Sequence, residues 1–120
     1  MKKFSEYYVL EVIATAYLNT KERIESGLKV NSAAMQPCWE VIQDCCQHGN
    51  VFLKSNDTFL NFYEIVLMAA TKYERTPVIG IDAAFSTILE ELGIRCNTSD
   101  WYRVMAFHYL KQAEKKERDA

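Results

Sequence analysis

The stretch Thr58–Tyr73, TFLNFYEIVLMAATKY, decides the fold. From Phe59 to Ala70 it holds one charged side chain, Glu64. Phe59, Leu60, Phe62, Tyr63, Ile65, Val66, Leu67 and Met68 fall all round a helix instead of along one side. A soluble helix without a polar side has to be surrounded by protein. The run covers twelve residues, well short of the roughly twenty that a membrane-spanning helix needs. It therefore predicts the central helix of a compact bundle.

The flanks punctuate that helix. Ser55-Asn56-Asp57 is a capping cluster at its start. Arg75-Thr76-Pro77 stops it, because the residue before a proline is pushed out of helical geometry. Further back, Ser5 to about Ile24 predicts a first helix with Val9, Val12, Ile13, Ala16 and Tyr17 on its buried face and Gly27 as its C-terminal cap. A second helix begins near Ser32–Gln36, with Pro37 in its first turn, and ends at Gly49. The short apolar pieces 28–30 and 51–54 can pair as a two-stranded ribbon around it, although two such strands are marginal alone.

A fourth helix starts near Thr76, or near Asp82 if Gly80 breaks it, and ends at Gly93 with Phe85, Ile88, Leu89 and Leu92 as its core stripe. Asn97-Thr98-Ser99-Asp100 caps a fifth, Trp101 to about Lys115. The charged tail 114–120 is expected to fray. Five helices with short connections make an all-α bundle, one helical domain over 1–120.

Composition narrows the function classes. The 120 residues are 49% hydrophobic, 12% aromatic and 25% charged. That is ordinary globular material, able to bury roughly two-thirds of its unfolded surface without disulfides or metal. A formal net charge of −2 and a pI near 5.7 lack the basic excess with which proteins neutralise phosphates, so nucleic acid is not the expected partner. The start, MKKFSEYYVLEV, has Glu6 and Glu11 where a signal peptide needs an apolar core. The chain thus reads as cytoplasmic, with no membrane partner and with Cys38, Cys45, Cys46 and Cys96 as reduced thiols.

Each chemical constellation meets a plainer reading. Cys45 and His48 share a helix face, and Cys96 and His108 can nominally complete a zinc set. Yet Cys38 and Cys45 stand roughly 10 Å apart along a helix, and no CxxC or HxxxH pair exists. No metal or cofactor is expected. A Cys–His nucleophile also needs an oxyanion hole, and no glycine-rich segment offers its donors. Glu64 is the candidate buried acid. Buried, it needs a partner such as His48, His108, Arg103 or a tyrosine hydroxyl, and can centre a small ligand-binding or enzymatic bundle. The alternative is that it emerges at a wet edge beside Lys72, and a lone acid favours that alternative.

Residues 82–112 offer a helix-turn-helix with Arg95 and Arg103 near the second helix. The turn is long for that motif, and the reading face carries Trp101, Tyr102 and Met105 where polar base contacts belong. Helix five is broad-faced instead. Trp101, Tyr102, Met105 and Tyr109 are types enriched at protein interfaces. The expected function is accordingly non-enzymatic: a small cytosolic interaction or regulatory protein that binds another protein, as a homodimer. A DNA-binding regulator using 82–112 is the alternative, and a site at Glu64 the second.

Overall fold

The computed structural model describes residues 6–47, 53–54, 57–72, 79–95 and 98–119. Among the described residues there are five α-helices: α1 (Glu6–Glu25), α2 (Gln36–Gln47), α3 (Phe59–Lys72), α4 (Ile79–Leu92) and α5 (Thr98–Asp119), with a 3-10 turn at Ser32–Met35 leading into α2. They pack into an all-α bundle of 42 × 29 × 24 Å.

Local chemistry explains the boundaries. α1 closes on Gly27 at φ +70, with Leu28 N–H bonded to the Arg23 carbonyl at 2.8 Å. α4 closes the same way on Gly93 at φ +74, with Ile94 N–H bonded to the Leu89 carbonyl at 2.9 Å. Both are left-handed caps in which glycine has no Cβ to strain. Asn31 caps the 3-10 turn by accepting from Ala33 N–H at 3.0 Å, and Pro37 then sits in the first turn of α2. Thr58 caps α3 through Asn61 N–H at 3.3 Å. Gly80 lies inside α4 and does not break it. The stop expected at Arg75-Thr76-Pro77 falls outside the described residues, as does Gly49.

The ribbon expected from 28–30 and 51–54 is absent from what is described of it. Leu28–Val30 and Leu53–Lys54 form no strand, while residues 51 and 52 lie outside the described set. Ladder groups in both segments are engaged elsewhere. The Lys29 carbonyl accepts from Arg23 Nε at 2.8 Å, and Lys54 N–H bonds to the Leu92 carbonyl at 3.2 Å.

Packing revises which helix is central. α1 lies against α2, α3 and α5, and α3 lies against α1, α2 and α4. α1 buries Val9, Leu10, Ile13, Ala14, Ala16, Tyr17, Thr20 and Lys21. α3 buries Phe62, Val66, Ala69 and Ala70, and leaves Leu60 65% and Met68 49% exposed. The apolar ring of α3 is therefore not enclosed, and α1 is the more deeply covered helix. Trp39 of α2 stacks on Phe62 at 5.4 Å. Tyr17 stacks on His108 at 5.7 Å and Glu25 meets Lys115 at 3.6 Å, so α1 and α5 run in the same sense. Phe85–Trp101 at 5.2 Å and Asp82–Tyr109 at 3.2 Å set α4 antiparallel to α5.

The tail expected to fray is helical to Asp119. Residues Lys111 to Asp119 are mostly good helix formers. A Lys111–Glu114 pair at 3.6 Å and the Lys115–Glu25 bridge to α1 hold the segment.

Candidate functional site

Glu64 is exposed, so the candidate buried acid is not buried. It sits on the side of α3 opposite Phe62 and Val66, as 100° per residue requires. It edges a shallow cleft of about 340 Å³ between α3 and α4, with Asp57, Asn61, Met68, Glu91 and Lys54. Carboxylates gather there, yet among the described residues no group of three His, Cys, Asp or Glu side chains is arranged to hold a metal ion.

The thiols are arranged for packing. Cys45 is buried, and Cys38 and Cys46 are half-buried. Burial pushes all three thiols up, and at Cys45 the charge of Asp44 adds to it. Little nucleophilic thiolate is then present near neutrality. His48 and Cys96 lie outside the described residues, so the Cys45–His48 pair has no geometry to report.

The four aromatic and methionine positions of α5 separate into two faces. Trp101 is half-buried against Phe85, and Met105 is 5% exposed in the core. Tyr109 donates its hydroxyl to Asp82 Oδ1 at 3.2 Å; burial, followed by the Asp82 charge and this bond, raises the phenol. These three recur every fourth residue and share the side turned toward α4. Tyr102 lies about 100° away and is 68% exposed. The helix-turn-helix face is occupied in the same way. What α5 would offer DNA is Ser99, Tyr102, Arg103 and Ala106, and Arg103 Nη1 is engaged by Asp100 at 3.4 Å.

His108 emerges as the most perturbed group, and its place on the Val104–Met105–His108 stripe was the signal for its burial. It is 2% exposed beside Lys21, itself 4% exposed. Burial, then the Lys21 cation, pushes the imidazole down from 6.5 to about 4, against a pull from Asp82. Its Nε2 meets no hydrogen-bond partner among the described residues. His108 also borders an α1–α5 groove of about 190 Å³, beside Leu18, Phe107 and the basic Lys111, Lys115 and Arg118. Lys111 and Lys115 are already matched by Glu114 and Glu25.

The surfaces left over are apolar and helical. On α5, Tyr102, Ala106, Leu110 and Ala113 form an exposed stripe, with Leu110 57% exposed. On α3, Leu60 and Met68 flank Glu64. No helix of the described residues is long and apolar enough to cross a membrane. The chain matches no family model, no curated protein and no solved structure.

Proposed function

We propose that this chain is a small, non-enzymatic, cytosolic interaction protein that acts by binding another protein and does so as a homodimer. One observation carries the reading: two helices that both pack against α1 each turn large apolar side chains outward, Leu60 and Met68 on α3, Tyr102 and Leu110 on α5. Exposed apolar rows on helices are the raw material of helix-mediated association, where aromatic and aliphatic anchors supply most of the affinity. Two separate faces suit one contact with a second copy and one with a different partner. Free thiols at Cys38, Cys45 and Cys46 suit a reducing compartment.

Light scattering tests the dimer. Chains paired at concentrations up to about 0.1 mM support it, since a Kd of order 10 µM leaves most of them associated there. Cross-linking in the source cells, with Leu60→Glu/Met68→Glu as the control, tests the partner face. A partner captured by the native chain and lost by the variant is the expected result. Capture that survives the variant would move the partner elsewhere. Tight binding to nonspecific duplex at low salt would replace this reading with a nucleic-acid one.

A further inference from the structure

We infer that the outward stripe of α5 is a self-complementary seam, on which a second copy of this chain packs its own α5 antiparallel. The inference rests on the homodimer reading above and adds its place and register. The stripe alternates large and small residues: Tyr102, Ala106, Leu110, Ala113, all exposed. Helical geometry places this row opposite the buried Val104 and His108. No side chain of the row is therefore needed for the chain's own core.

A two-fold axis across the midpoint of Ala106 and Leu110 makes the row match itself. Leu110 of each copy then faces Ala106 of the other, a large side chain over a small one, which lets helices approach closely. Tyr102 falls over Ala113 of the second copy on one edge.

The charges follow the same symmetry. Arg103 and Glu114 are both exposed and share the other edge of the stripe, away from Tyr102 and Ala113. They lie at nearly equal distances on either side of the midpoint. Within one copy Arg103 meets Asp100 at 3.4 Å and Glu114 meets Lys111 at 3.6 Å, both weak solvent-exposed pairs; the antiparallel arrangement brings Arg103 of one copy beside Glu114 of the other as well, twice. Glu117 of each copy reaches Ser99 in the opposite first turn, where a carboxylate is favoured by the helix dipole. A parallel pairing would instead set Arg103 beside Arg103 and Glu114 beside Glu114. Isologous contacts of this kind are the commonest route to a homodimer.

The test is sedimentation equilibrium of the full chain, with far-UV circular dichroism as the check on folding. Native chain is expected to dimerise. Leu110→Glu is expected to weaken the dimer by more than about a hundredfold while leaving the helical signal unchanged, because it buries a charge at the centre of the seam. Arg103→Glu and Glu114→Arg are each expected to weaken it by roughly fivefold to twentyfold, and the double variant to restore it. A dimer that tolerates Leu110→Glu overturns the α5 seam while leaving dimerisation itself standing. A double variant no better than the singles overturns the antiparallel register. A chain that stays monomeric up to about 0.1 mM removes the dimer and the seam together.

Discussion

α1 and α3 invert the usual relation between hydrophobicity and burial. α1 carries Glu11, Lys21, Glu22, Arg23 and Glu25, and yet its flank from Val9 to Lys21 is among the best covered surfaces in the molecule. α3 has a single acid between Phe59 and Ala70, and yet Leu60 and Met68 stand in water. Position in the bundle accounts for the difference. α1 is flanked by α2, α3 and α5. Its long Lys21 stem can lie in a seam. α3 has neighbours on the Phe62 side only, so whatever lies opposite is outside. Apolar content says that a helix wants cover; it does not say that the chain has enough surface to provide it.

Substitutions on covered and open faces should differ widely in their cost. The largest effect belongs to the covered side of α3. Phe62→Ala removes a fully buried ring stacked on Trp39 and should cost about 3–5 kcal/mol in urea unfolding. The α1–α5 seam should show itself in acid. The folded pKa of His108 is lowered, from 6.5 to about 4, so the unfolded chain binds the proton more avidly. This contribution to stability is present above pH 6.5 and is lost as the pH falls toward 4, up to about 3 kcal/mol in all. Comparing urea midpoints of native chain and His108→Leu between pH 7 and pH 4.5 isolates it, and the variant should lose less stability across that window.

A smaller effect separates the ends of α1 and α4. Gly93 and Gly27 both have positive φ, but a Cβ at Gly93 would also meet Lys54 Cγ at 3.1 Å, and one at Gly27 meets nothing within 4 Å. Gly93→Ala should cost about 1–2 kcal/mol, and Gly27→Ala the lower end of that range, by thermal unfolding. The least effect belongs to the exposed side of α3. Leu60→Ser should leave stability within about 0.5 kcal/mol of the native chain. A loss there as large as that of Phe62→Ala would mean that the outer face is covered after all.

Element identity was legible because the chain is punctuated. Gly27, Pro37 and Gly93 mark ends by backbone chemistry that needs no tertiary knowledge, and the helices stop or start where these residues act; at α3 the cap is Thr58, one residue beyond the expected Ser55-Asn56-Asp57 cluster. Side assignment was less legible. In α5 an aromatic or methionine appears at almost every turn, so the inward set Trp101, Met105 and Tyr109 and the outward Tyr102 read as one surface. Only the position of α4 tells them apart. In α3 the ring of apolar residues left no periodic hint of the side on which neighbours would be missing, and Glu64 marked that side without proving it. Lys21 gave no sign of burial, because a lysine near the end of an amphipathic helix is ordinarily in water. The contact that ties the charged tail to the bundle was hidden for a related reason: Lys115 has a partner on α1 that sequence neighbours cannot reveal.

The side-by-side packing of α1 and α5 has a consequence for how the chain acquires its shape. Tyr17 and His108 touch across nearly the whole described length. A growing polypeptide holding α1 through α4 has no cover for the Ala14–Tyr17–Lys21 flank until α5 has been synthesised and has left the ribosome. Closure of the core is therefore a late, non-local event in an otherwise local helical architecture, and loop-closure entropy makes it slow relative to helix formation. In that interval the nascent chain displays an adhesive flank, the kind of surface that draws chaperones or aggregates when translation stalls.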